Sequence, residues 1–444
     1  MGRGLLLKTA SRAALALAVI AAAACAGRPA PGAPLPQGAD PGAMMRRGLE
    51  IAGTYRVAAI TERRFTHAEF WQAVEQPLAS NVFRVEDVGR SIQGRSLRTV
   101  SYGNGPVRVL LWSQMHGDEA TATMALADIF RFLAEATDDP LRERLRQQLT
   151  IVFLPMLNPD GAELFQRENA LGVDVNRDAR RLVTPEARAL KGVHDRFQPR
   201  FGFNLHDQSA RTRVGTNGEQ AAMALLAPAY DAARGYNAVR SDARHVAATI
   251  VQMLASEIPG RVARYDDTFN PRAFGDLMQT WGTSTVLIES GALPGDPQKQ
   301  RLRAINVAAI LGALDAIATN RFAAAGATPY EALAFNSGGI SDLLVVGAQV
   351  VLPGRSPMLA DIAINYDDPV ARTGARIREV GDLQAVQAID TIDVAGLFLH
   401  QARQALVNRG TASWLTIGSS AALDVRRGPD PGSALVRQIG DSAR

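Results

Sequence analysis

The chain has 444 residues, 47% of them hydrophobic, which suffices for a sizeable core and excludes disorder along the whole length. This length exceeds one average domain, so two folded units are expected. The formal net charge is only +4, the lysines are Lys8, Lys191 and Lys299, and arginines are scattered rather than gathered into a stripe interleaved with aromatics, which excludes a nucleic-acid partner.

Arg3, Lys8 and Arg12 precede an apolar run at 13–24 that is too short to span a bilayer as a stable helix but suits a signal peptide, so residues 1–25 are read as an export signal. Cys25, the only cysteine, follows small residues where a lipoprotein signal peptidase would cut. Ala22 stands where that signal prefers a larger aliphatic residue, so lipid attachment at Cys25 and ordinary cleavage both stay open. The expectation is an exported protein, periplasmic or lipid-anchored to the outer membrane through Cys25, with no intramolecular disulfide. Residues 26–45, rich in Pro, Gly and Ala, read as a flexible tether.

A folded body follows over 46–325. An apolar run at 107–112 suits a buried strand, and 121–134 carries apolar residues at helical spacing. Residues 149–154 form the next strand, closed by Pro155 and a turn at 158–161. Residues 200–205 give another strand, 243–257 a helix, 283–288 a β-branched strand and 298–319 a long helix. Strands alternating with helices predict an α/β fold, a mixed but mostly parallel twisted sheet with helices on both faces. From 326 to 444 the texture turns to short Val/Ile-rich segments punctuated by Gly, at 343–351, 362–365 and 388–399, which reads as a small β-rich C-terminal module.

His116-Gly117-Asp118-Glu119 follows directly on the strand at 107–112, placing an imidazole and a carboxylate three positions apart where a strand gives way to a helix. Zinc accepts both donor types, and a catalytic zinc uses three protein ligands with one position left for water. A third ligand is expected at the carboxyl end of another strand, where sites in α/β sheets gather, and His206 stands there. Glu289 closes the apolar run Thr285-Val286-Leu287-Ile288, where a carboxylate without a function would be costly to bury. Alone, a His-x-x-Glu pair is more often a surface helix start, and a lone Glu at a strand end a rim salt bridge.

Together with Gly89-Arg90-Ser91 and Gly94-Arg95, Asn158-Pro159-Asp160-Gly161, Gly172 to Arg177 and Leu205-His206, these pieces fall in the order seen in zinc metallocarboxypeptidases, and the chain resembles an exported bacterial member of that carboxypeptidase A-like family over roughly residues 85–320. The resemblance implies one zinc ion held by His116, Glu119 and His206, with Glu289 as the base that activates water. It also implies that Asp174 accepts a hydrogen bond from a zinc-bound histidine, that Asn176 and Arg177 grip the substrate's terminal carboxylate, and that Arg167 polarises the scissile carbonyl. Tyr265 matches the family's substrate-covering phenol by order only and reads equally as a core or rim tyrosine.

This sequence departs from the family pattern at Asp178-Ala179, where a charge beside the clamp puts strict C-terminal specificity in doubt, and at Asp207-Gln208, beside the substrate pocket. The expected function is hydrolysis of C-terminal peptide bonds in a peptide substrate. The alternatives are a zinc amidase or deacylase acting on small N-acyl amino acids or cell-wall peptides, and a binding module without chemistry. His67, His194, His245 and His400 lack ligand spacing and receive no role.

Overall fold

A computed structural model describes residues 40–216, 218–401, 406–409 and 412–440. The export signal, Cys25 and most of the tether lie outside the described residues. Residues 41–45, read from sequence with the tether, form the first turn of helix α1 (Pro41–Thr54), where the Asp40 carboxylate accepts the N–H groups of Gly42 and Ala43 and Pro41 presets the first helical φ. Proline here starts a helix rather than preventing one.

In the first part of the chain the strands are β1 (Phe83–Arg90), β2 (Ser96–Tyr102), β3 (Val107–Ser113), β4 (Leu149–Leu154), β5 (Phe201–Asp207), β6 (Arg213–Val214), β7 (Met223–Leu226), β8 (Val262–Arg264) and β9 (Ser284–Ser290). All but β6 join one eight-stranded sheet in the order β1-β2-β4-β3-β5-β9-β7-β8. The central run β4-β3-β5-β9 is parallel, β1 and β2 are antiparallel at one edge, and β7 reverses against β9. The helices after α1 are α2 (His67–Leu78), α3 (Thr121–Glu135), α4 (Pro140–Gln148), α5 (Pro159–Leu164), α6 (Pro185–Phe197), α7 (Ala238–Leu254), α8 (Phe274–Thr280) and α9 (Gln300–Ala318).

Alternation along the strands shows why helices cover both faces. In β3 and β4, Val109, Leu111, Ile151 and Phe153 share a core with α1, α3, α7 and α9. Their neighbours Leu110, Trp112, Val152 and Leu154 pack with α6 and α8 on the other side. Each large apolar side chain so enclosed contributes roughly 1.5–3 kcal/mol. The turn expected at 158–161 is instead the start of α5, capped by Asn158, whose Oδ1 accepts the Gly161 N–H at 2.9 Å.

The remaining strands are β10 (Asn336–Ser337), β11 (Ser341–Val351), β12 (Met358–Asp368), β13 (Thr373–Gly381), β14 (Ala388–Asp393), β15 (Phe398–Gln401), β16 (Leu406–Arg409), β17 (Ala412–Leu415), β18 (Leu423–Arg426) and β19 (Leu435–Ile439). A second, seven-stranded sheet runs β13-β12-β11-β15-β18-β19, with β14 also paired to β11, and encloses its own apolar core around Val345, Ile362, Ile364 and Val425. The segment read as continuous over 388–399 divides into β14 and β15, which lie parallel to successive stretches of β11. Strand β10 pairs with β6 and joins the two parts of the chain.

Candidate metal centre

The site sits at the carboxyl ends of β3, β5 and β9, and glycine makes its first loop possible. A Cβ on Gly117 would lie 2.0 Å from the backbone of Gly161, and one on Gly161 would lie 2.5 Å from the Asn158 side chain, so the His116–Glu119 loop and the first turn of α5 interlock backbone against backbone. Asp160 of that turn accepts the Ser91 hydroxyl at 2.7 Å, the Gln93 N–H at 3.0 Å and the Arg95 guanidinium at 2.8 Å. The Gly-Arg-Ser and Gly-Arg pieces recognised in the sequence therefore brace the loop from behind.

His116, Glu119 and His206 are buried and converge: Glu119 Oε1 lies 2.7 Å from His116 Nδ1, and Glu119 Oε2 lies 2.6 Å from His206 Nδ1. Their ligand atoms all fall within 4.8 Å of one another. The remaining ring nitrogen of His116, Nε2, lies 3.0 Å from Asp174 Oδ1, a partner that orients the ring with Nδ1 toward Glu119. Two imidazole nitrogens and a carboxylate on rigid strand ends fit zinc, whose catalytic sites take three such ligands.

The charges of the three residues are strongly linked. Burial opposes charge on His116, yet the charge of Glu119 and the hydrogen bonds to Asp174 and Glu119 carry it up to about 9. Despite its own burial, Glu119 is held below the usual carboxylate range by the two histidines, whereas burial pulls His206 down.

Glu289 pairs in register with His206 across β5 and β9 and lines the same cavity, about 980 Å³ in volume. Burial, followed by the charge of Glu119, raises it to about 8. Arg167 reaches Asp174 Oδ2 through Nε and Nη2 at 3.1 and 2.9 Å, and its Nη1 lies 3.3 Å from Glu119 Oε1. Asn176 accepts the Phe274 N–H at 2.9 Å through its side-chain oxygen, with its amide nitrogen 3.5 Å from His206 Nε2. Arg177 is half-buried, donates to the Asn176 carbonyl and lines the cavity. Tyr265 follows β8 on the same wall, its phenol shifted upward first by the charge of Glu289 and then by burial. All nine residues singled out in the sequence are therefore gathered at one cavity or directly behind it.

The departure at Asp178 has a different meaning from the one expected. Asp178 is buried and turned away, accepting the N–H groups of Val183 and Thr184 and the Thr184 hydroxyl ahead of α6. Its charge is consumed in ordering that loop and does not face the clamp. Asp207 is compensated by Lys299 Nζ at 2.9 Å and the Thr121 hydroxyl at 2.7 Å.

Several cavity residues carried no sequence signal. Arg63 arrives from the segment between α1 and α2, stacked 5.2 Å over Phe165. Asp276, at the start of α8, is pushed up to about 6 chiefly by burial. Lys299, which does not line the cavity but is buried against Asp207, stood out only as a rare lysine, and nothing in its spacing connected it to Asp207.

Residues 68–220 match the family described as zinc carboxypeptidase. A probable carboxypeptidase 2 of Arthroderma benhamiae is 30% identical over 109 residues, covering 24% of this chain and 20% of that protein. The carboxypeptidase N catalytic chain of Homo sapiens is 31% identical over 118 residues, covering 22% of this chain and 26% of its own. These matches thus span only a fifth to a quarter of the relatives' length. The crystal structure of a metallo-carboxypeptidase from Burkholderia cenocepacia aligns over 56% of this chain and 68% of its own at 20% identity, with a TM-score of 0.43, too loose a likeness to carry an argument. The family match at residues 68–220 takes in His116, Glu119 and His206, the three residues that converge at the candidate metal centre.

Proposed function

We propose that the protein is a zinc-dependent carboxypeptidase that releases C-terminal residues from peptides. The observation that carries this reading is the convergence of His116, Glu119 and His206 beside Glu289, with Arg177 lining the same cavity.

Zinc, when held by the three ligands, supplies Lewis acidity that lowers the pKa of water toward ~7 and polarises a carbonyl. Glu289 takes the proton of the attacking water and returns it to the departing amine, a role favoured by its place beside His206 in the cavity. Arg167 places a guanidinium edge where negative charge develops on the carbonyl oxygen. Asp174 fixes the His116 ring and holds Arg167, so a single carboxylate positions a ligand and the oxyanion donor.

Arg177 offers paired donors to a terminal carboxylate, with Asn176 beside it; this selects the chain end. Because Asp178 is turned away, the clamp keeps its positive character. Tyr265 covers bound substrate from the β8 side. The amidase reading shares every catalytic role but not the need for a peptide.

The proposal extends to the ends of the chain: residues 1–25 direct export, with Cys25 available for lipid anchoring, 46–325 form the catalytic domain and 326–444 an accessory one. Metal analysis of the purified protein, followed by peptide hydrolysis before and after chelation and zinc restoration, tests the function. Release of terminal residues that disappears and returns with zinc supports it, and hydrolysis indifferent to chelation refutes it.

A further inference from the structure

The second sheet forms part of the cavity. Asn336 and residues Asp367 to Val370 line it together with the metal centre. Those last four residues lie at the end of β12 and in the turn leading to β13.

The turn is held in shape and in place. Asp368 Oδ1 accepts the N–H groups of Val370 and Ala371, both at 2.9 Å, and Asp367 is bound by Arg376. Behind it, Arg211 grips both oxygens of the buried Asp342 at 3.0 and 2.7 Å and also donates to the Tyr366 carbonyl. The Tyr366 N–H in turn donates to Asp342 at 2.7 Å. Arg211 lies only five residues beyond His206, and the intervening Gln208 accepts from Asn336 at 2.9 Å. A short, hydrogen-bonded path thus couples the turn to a metal-ligating strand.

Asn204, Gly275, Asp276 and Leu287 line the cavity along with Arg177 and suit a terminal side chain. The turn is tied instead to the segment after β5. We propose that the β12–β13 turn is a substrate-binding wall, with Pro369 and Val370 contacting the peptide upstream of the scissile bond, so that the C-terminal sheet sets which peptides are accepted. This rests on the peptidase reading for its chemistry, and on the cavity alone for its geometry. The ligand is an extended peptide with at least two residues before the bond to be cut; a substrate with only one upstream residue does not reach the turn.

The test uses the full zinc-loaded protein, with Val370→Trp to crowd the wall and Pro369→Gly with Val370→Gly to remove its apolar surface. N-acyl peptides carrying one to five residues upstream of a common terminal residue are compared. Both variants should leave kcat/KM for the shortest substrate nearly unchanged and lower it by about tenfold or more for the longer ones, mainly through KM. A uniform change at all lengths, or none, overturns the proposal. If the wild type cleaves none of these peptides, the carboxypeptidase reading fails separately, and calorimetric Kd values for the same series decide the wall: a length-dependent loss in the variants supports it, while a uniform loss, no loss or no binding overturns it.

Discussion

Strands β5 and β9 of the first sheet are buried at every position, whereas β14 of the second alternates half-buried and exposed residues throughout. An acidic group in the first setting must be compensated or used, because burying it alone costs several kcal/mol. In the second it costs nothing. Glu289 therefore carries information that Asp393, on an open position of β14, does not. Chemistry collects where the sheet is enclosed; the alternating sheet contributes a surface.

The harshest way to break this contrast is to delete a ligand from an enclosed strand. His206→Ala should abolish zinc binding and reduce hydrolysis to background, as read by metal stoichiometry and single-turnover rates. Glu289→Gln keeps the shape of the strand end and the ligands, so zinc content should stay at wild-type level while kcat falls by about 10³-fold. Loss of zinc together with activity would move Glu289 from chemistry to structure.

In the second sheet, Asp342→Ala removes the buried carboxylate that accepts from Arg211 and the Tyr366 N–H and should destabilise the junction by about 3 kcal/mol, seen as faster proteolysis there before the first sheet unfolds. A subtler probe is Asp276. Its folded carboxyl sits at about 6, above its usual value of 3.8, so the folded state binds a proton more tightly than the unfolded one. Stability from this group is present at low pH and is lost as pH rises from about 4 through about 6, by roughly 2–3 kcal/mol in all. Asp276→Asn should therefore flatten the pH dependence of Tm over that window, and an unchanged profile would mean that the cavity hydrates this carboxylate.

The same contrast explains what could be read from the sequence. Continuous apolar runs at 107–112, 149–154 and 283–288 announced strands covered on both faces, and the polar residues ending them announced the site. Strands β1 and β2 escaped because only one of them is well buried and their pattern is mixed; β7 and β8 are too short for periodicity to show. Proline and glycine concealed the start of α1. Within the site, His116, Glu119 and His206 stood out because each lies at or just after the end of a strand, whereas Asn176 and Arg177 were singled out only through the family resemblance. Arg63, Asp276 and the β12–β13 turn were not, since each reaches the cavity by tertiary placement that no spacing encodes. Asp178 shows the converse: its position was legible, but the direction of its side chain depended on the unsatisfied N–H groups of Val183 and Thr184.

The most direct test of the central claim compares peptides that differ only in a free or amidated C-terminus, using zinc-loaded protein beside Glu289→Gln. The account expects wild type to release residues from free termini alone, with amidation reducing kcat/KM by at least about 10²-fold through loss of the paired contact with Arg177, and the variant to be nearly inactive on both. Equal cleavage of free and amidated peptides would contradict terminal recognition and leave a zinc amidase or endopeptidase in its place.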